Sequence, residues 1–227
     1  KEDLQLLIDT ANKTKAKLLY FSNPNNPIGT WTRGEKIVSL LEKLPNDCLL
    51  ILDEAYAEFA PNEAKVPMLV DDPRLIRFRT FSKAYGIAGA RIGYGLGSRE
   101  LIGEFDKIRN HFGNSLLSQV AAIAAIKDQK YLSDVVKKIS LGREKIYQIA
   151  KLNGLTAIPS ATNFVAIDCG KDGNFATQVM NGLIEAKIFV RKPAVAPLDR
   201  TIRVTVGRDD DIELFKNVLP QVLKASQ

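Results

Sequence analysis

The chain has 227 residues, 45% hydrophobic and 26% charged, a balance that suits a globular protein with one large domain or a large and a small one. Its net charge of +6 is modest, and its lysines and arginines are spread along segments such as 131–151 rather than gathered in a block. This argues against a nucleic-acid partner and leaves room for a small anionic ligand. No apolar run approaches the roughly 20 residues that span a bilayer, so no membrane partner is expected. The opening Lys1-Glu2-Asp3 does not read as a signal peptide, and the chain does not begin with Met, so Lys1 is not expected to be the natural start. Cys48 and Cys169 are far apart and His111 is the sole histidine. That pattern predicts reduced thiols in a cytoplasmic setting, with no metal site and no His-based triad.

In chain order, Leu4, Leu7, Ile8 and Ala11 recur at helical spacing, which predicts a helix over 2–14. Residues 17–21 form a short apolar strand. The run Ser22-Asn23-Pro24-Asn25-Asn26-Pro27-Ile28-Gly29-Thr30 forbids regular structure, because two prolines fix φ and remove two donors. A loop that stiff at a strand's end can aim a side-chain amide, and it also reads as a plain turn before the helix expected over 33–44. Residues 48–53 are apolar until Asp53, as in a strand covered on both faces. Ligands of open α/β sheets bind beyond the carboxyl ends of the strands, which places Asp53 at a site; read alone, it also fits a helix N-cap. Strands are predicted over 75–81 and 91–96, then one or two helices over 99–127 interrupted near Phe112-Gly113-Asn114. Alternating strands and helices predict a mainly parallel sheet with flanking helices. Beyond residue 129 the pattern changes: helix 131–152, strands 155–158 and 163–168, helix 175–186, strands 188–191 and 201–206, helix 209–223. This predicts an α/β large domain over 1–120 and a small C-terminal α+β domain over 121–227, with the boundary in the helices around 110–130.

The chemistry concentrates where the third strand ends. Thr80-Phe81-Ser82-Lys83 is followed by a glycine-rich loop that delivers Arg91. The hydroxyls and Arg91 can hold phosphate oxygens, and the Lys83 amine can condense with an aldehyde. Those are the needs of pyridoxal 5'-phosphate, although Lys83 also fits an ordinary surface lysine at a corner. The order of signals adds weight: an Asn loop, an acid with Tyr56 close behind, Lys83, Arg91, and a late strand arginine, Arg203. A carboxylate is needed to keep a pyridine nitrogen protonated so that the ring can take up electrons.

At this point the sequence resembles the fold-type I, class I/II aminotransferases, and within them the histidinol-phosphate aminotransferase group of histidine biosynthesis. The matching segments are Asn23-Pro24-Asn25-Asn26-Pro27-Ile28-Gly29, Asp53-Glu54-Ala55-Tyr56, Ser82-Lys83-Ala84-Tyr85-Gly86-Ile87-Ala88-Gly89-Ala90-Arg91 and Ile202-Arg203-Val204-Thr205-Val206-Gly207. The resemblance implies a pyridoxal-phosphate enzyme that moves an amino group from an amino acid or histidinol phosphate to a 2-oxo acid such as 2-oxoglutarate. It implies that Lys83 carries the cofactor and moves the α-proton. Asp53 pairs with the pyridine nitrogen, and Asn26 and Tyr56 bond the phenolic oxygen. Thr80, Ser82 and Arg91 hold the phosphate. Arg203 clamps the substrate carboxylate, with Arg191 at its distal group and Asn163 near it. It also implies a homodimer, and a further N-terminal segment in complete members.

Two departures stand out. Ile28 replaces a common threonine, and Arg109-Asn110-His111-Phe112-Gly113-Asn114-Ser115 differs from the stretch expected in histidinol-phosphate enzymes, which leaves aromatic and other amino donors open. A decarboxylase on the same scaffold and a non-catalytic pyridoxal-phosphate sensor are the competing readings.

Overall fold

A computed structural model describes residues 2–67, 69, 71–110 and 112–226. The chain divides into two compact units, Lys1–Pro24 with Trp31–Val135, and Asn25–Thr30 with Val136–Gln227. His111 lies outside the described residues.

The first unit is a four-stranded sheet in the order β1-β2-β3-β4, with β1 Leu18–Ser22, β2 Leu49–Asp53, β3 Leu75–Thr80 and β4 Gly93–Leu96. The first three strands are parallel, with Ser22 opposite Asp53 and Asp53 opposite Phe78; β4 returns antiparallel, with Thr80 opposite Gly93. Helices α1 (Leu4–Thr14) and α2 (Gly34–Lys43) flank the sheet. Asp3 caps α1 by accepting from Gln5 N and Leu6 N, which satisfies two of the donors a helix start leaves open. Ile8 and Ala11 of α1 and Ile37, Leu40 and Leu41 of α2 bury against Leu19, Phe21, Leu50 and Leu52. That apolar face is the unit's core and accounts for most of its stability. Strand β2 was expected to be covered on both faces; among the described residues Leu50 and Leu52 are fully buried, while Leu49 and Ile51 on the other face are only partly so.

Helices α3 (Arg99–Glu104) and α4 (Leu116–Lys127) complete this unit with the start of α5 (Gln129–Leu152). The expected division between residues 120 and 121 falls inside α4. That helix belongs to the first unit because Ala122 packs with Phe81 and Tyr85.

The second unit is an antiparallel sheet of β5 (Thr156–Ala157), β6 (Phe164–Asp168) and β7 (Thr201–Thr205), in that order. It carries the rest of α5, α6 (Gly173–Glu185) and α7 (Asp209–Ala225). Its core joins Ile146 and Ile149 to Val165, Ile167, Val179, Leu183, Phe215 and Leu219. The strand expected over 188–191 does not form; only Arg191 bridges, to Arg203. Lys187 turns left-handed at the end of α6 (φ 63°), and the Ile188 N–H is taken by Leu183 O at 2.8 Å, so that donor is spent on closing the helix. Among the described residues no helix is long and apolar enough to cross a membrane.

Candidate functional site

In the first unit the predicted residues gather at the carboxyl ends of β2 and β3. Asp53 ends β2, and its two oxygens are both held: Oδ1 accepts from Ala55 N at 2.9 Å, and Oδ2 accepts from the Tyr20 hydroxyl on β1. The Asp53–Ala55 bond is a tight turn and not the helix cap that the sequence also permitted. Although the ring is largely exposed, partial desolvation, then the bond to Asp53, then its charge, raise the Tyr20 pKa and favour the phenol as a donor. Tyr56 is buried, and the Lys83 ammonium sits 5.3 Å from its ring centroid. Lys83 forms no ion pair among the described residues. Thr80 and Ser82 adjoin through Ser82 N–H donating to Thr80 Oγ1 at 3.0 Å. Arg91 is exposed, in the left-handed region (φ 48°), with Nη1 donating to Ala88 O at 3.0 Å. A free amine beside a phenol, an oriented carboxylate, two adjoining hydroxyls and an exposed guanidinium are a donor set that suits an anionic, aldehyde-bearing heterocycle.

Glu54, which sequence reasoning passed over, is buried between two arginines of β3. Arg77 Nε and Nη2 donate to its Oε2 and Oε1 at 2.9 and 2.7 Å, and Arg79 Nε donates to Oε2 at 3.0 Å. Burial by itself would lower the Arg79 pKa; the adjacent Glu54, with Tyr94, outweighs it and holds the pKa raised. Asn23, also passed over, is a buried staple. Its Nδ2 donates to Thr32 O and Ala64 O, and its Oδ1 accepts from Thr32 N at 2.8 Å.

The second unit holds the remaining predicted residues. The loop 25–30 closes on itself through Asn25 N–H to Thr30 O at 2.7 Å, and Gly29 O accepts from Ala161 N at 2.8 Å. Gly29 is left-handed (φ 82°), and a Cβ there would meet Ser160 Oγ at 2.3 Å. Asn26 at the loop's tip is exposed, and its Oδ1 accepts from Arg203 Nη1 at 2.6 Å. The Arg203 guanidinium also lies 4.7 Å from the Phe164 ring centroid. Arg191 and Arg203 exchange backbone bonds of 3.2 and 2.6 Å, so their side chains leave the same face. The Asn163 carbonyl accepts from Val206 N, just past β7, at 2.9 Å. The structure thus brings the predicted cofactor residue Asn26 together with the predicted substrate residue Arg203, and pairs Arg203 with Arg191. Neither cysteine is equipped as a nucleophile: both are buried, and burial, then Asp168, pushes the Cys169 thiol up to about 11.

Parallel strands with flanking helices, whose carboxyl ends carry acid, phenol and amine, in a chain that also holds an antiparallel α+β unit, are the fold-type I transferase architecture. The chain belongs to the family "Aminotransferase class I and II", whose sequence profile matches residues 1–218. A histidinol-phosphate aminotransferase of Geobacillus sp. (strain WCH70) is 37% identical over 230 residues, covering 100% of this chain and 62% of the relative. The crystal structure of histidinol-phosphate aminotransferase from Sinorhizobium meliloti in complex with pyridoxal-5'-phosphate superposes with a TM-score of 0.98 at 47% identity, over 100% of this chain and 62% of that one. L-threonine-O-3-phosphate decarboxylase from Porphyromonas gingivalis superposes at 0.78 with 25% identity, over 92% and 65%. The chain thus spans about three fifths of the length of the curated relatives it matches, 62% for the Geobacillus protein.

Proposed function

We propose that this chain carries the lysine, the pyridine-binding acid and the substrate arginines of a pyridoxal-phosphate-dependent transaminase. Its amino donor is an amino acid or histidinol phosphate, and its acceptor is a 2-oxo acid such as 2-oxoglutarate. The observation that carries this reading is the Lys83 amine, free of any carboxylate among the described residues and 5.3 Å from the Tyr56 ring. Bound there, the cofactor supplies an aldehyde for amino groups and a protonated ring that accepts electrons from the donor's α-carbon. Asp53, oriented from both sides, keeps the pyridine nitrogen protonated. Tyr56 and the Asn26 amide donate to the phenolic oxygen, while Thr80, Ser82 and Arg91 bind phosphate oxygens. Lys83 Nζ would take the donor's α-proton and return it. Arg203 receives the oxo acid's α-carboxylate through its fork, and Arg191, on the same face, takes a distal anion. Two guanidiniums on one face favour substrates with two anionic ends. Asn163, whose carbonyl accepts from Val206 N just past β7, serves as a lesser contact.

Transamination is distinguished from the decarboxylase reading by assaying oxo-acid formation against carbon dioxide release with a panel of amino donors. Oxo acid without carbon dioxide is expected; carbon dioxide as the main product, or pyridoxal phosphate bound with no turnover of any donor, would replace the reading. The likeness to the Sinorhizobium histidinol-phosphate aminotransferase favours histidinol phosphate as the first donor to try. A cytoplasmic setting belongs to the same reading and is supported by two free, buried cysteines. So does the homodimer: Ile108, Phe112, Leu116, Leu117 and Val120 are all more than half exposed, an apolar surface that a second subunit or further chain would cover. Sedimentation velocity of the holo-protein tests this, with a dimer expected.

A further inference from the structure

Glu54 stands next to Asp53 and is followed closely by Tyr56, yet its own carboxylate is buried, with 4% of the side chain exposed. Three N–H donors from two arginines converge on it, a bidentate pair from Arg77 and a third from Arg79. Arg77 is itself only 2% exposed and also donates to Pro67 O at 3.1 Å. Both arginines flank Phe78, the residue paired with Asp53, and Phe78 O accepts the Glu54 N–H at 2.9 Å. The Glu54 carbonyl then accepts from Ala57 N at 3.0 Å, starting the short 3-10 turn that carries Tyr56 into place. Downstream of Arg79 the same strand runs directly into Thr80, Ser82 and Lys83.

Burying an ion cluster is a weak source of stability, because the cost of desolvation roughly cancels the attraction and apolar side chains of similar volume serve as well. What three charge-assisted bonds with fixed directions do supply is geometry. We propose that Glu54 is a positioning residue: gripped by Arg77 and Arg79, it locks the Asp53–Tyr56 turn at the end of β2 to the strand end that delivers Lys83. The inference rests on the transaminase reading. It assigns to Glu54 a role in how the acid, the phenol and the amine are set relative to one another, with no contact of its own to cofactor or substrate.

The test compares wild-type holo-protein with Glu54→Gln and Glu54→Asp. The readouts are the pH midpoint of the cofactor's visible band, the pyridoxal-phosphate dissociation constant, and the thermal midpoint of the apo and holo forms. Glutamine keeps the shape and loses the charge; aspartate keeps the charge and loses reach. If Glu54 positions the site, Glu54→Gln raises the pH midpoint, because Tyr56 no longer meets the phenolic oxygen well. It also weakens cofactor binding by about 10-fold, the equivalent of about one poorly made hydrogen bond to the cofactor. Glu54→Asp falls between the two. Arg79→Gln, at a residue whose side chain is 23% exposed, gives a smaller shift in the same direction and serves if the Glu54 variants do not fold. A lowered thermal midpoint with unchanged pH midpoint and cofactor affinity would reduce Glu54 to a structural residue and overturn the proposal. A wild-type protein that develops no visible band with pyridoxal phosphate removes the transaminase reading as well, so the two failures are told apart.

Discussion

Arg203 Nη1 donates to Asn26 Oδ1 at 2.6 Å, joining a strand arginine to a loop asparagine 177 residues earlier in the chain. The bond engages the amide's only acceptor atom, so the part of the side chain left for a ligand is the NH2 donor. It also couples the residue assigned to the substrate carboxylate with the one assigned to the cofactor's phenolic oxygen. Replacing Arg203 with Lys keeps the charge and removes the fork. The expected loss is about 2–3 kcal/mol, roughly 30- to 150-fold in kcat/KM for the oxo acid. Asn26→Ala combined with Arg203→Lys should cost less than the sum of the single changes, because the two side chains share one bond. A double-mutant cycle on kcat/KM measures this, and strict additivity would deny the coupling.

The Asp53 carboxylate has a chain donor on each oxygen, the Ala55 amide and the Tyr20 hydroxyl. Asp53→Asn should lower turnover by about 10²–10³, the scale for losing one oriented charge-stabilising group. Tyr20→Phe should cost far less, since the backbone bond to Oδ1 survives. Steady-state rates on the two variants give the comparison.

Burial raises the pKa of Glu58 above its ordinary value, outweighing a backbone hydrogen bond and the field of Arg79; Glu54 adds to the rise and Lys65 opposes it. A carboxyl whose folded pKa is raised contributes stability fully below its unfolded pKa and loses it as pH climbs through the folded one. Glu58 Oε1 also has no hydrogen-bond partner among the described residues. Glu58→Gln should therefore raise the thermal midpoint at pH 7–8, with the advantage shrinking toward pH 4. An advantage that grows on acidification would contradict the assignment.

Gly34 opens α2, and a Cβ there would meet the backbone Lys65 O at 2.0 Å. Alanine in a helix gains at most about 1 kcal/mol over glycine, while overpacking against backbone costs about 1–3 kcal/mol. Gly34→Ala should lower the thermal midpoint despite its better helix propensity, as read by thermal unfolding.

Much of this was legible in the sequence because it is local. Periodicity marks α1, α2 and the three long C-terminal helices, and an apolar run ending in an acid marks β2 with Asp53 at its mouth. Lys83 and Tyr56 were legible as motif residues, and the structure sets them against each other. What escaped depends on partners distant in sequence. Arg77 and Arg79 alternate with apolar residues like a solvent-facing edge; only the register of β2 on β3 turns them onto Glu54. Residues 25–30 read as a loop ending β1, but their contacts with Ala161 place them with the second unit. The apparent strand at 188–191 failed because the end of α6 consumed the Ile188 donor, which an apolar pattern cannot reveal.

Attachment of the cofactor to Lys83 is read by adding pyridoxal phosphate to the protein, reducing with borohydride, and locating the added mass by peptide analysis. A single stable adduct on Lys83, abolished in Lys83→Ala, is expected. An adduct on another lysine, or a visible band and turnover that persist undiminished in Lys83→Ala, would contradict it.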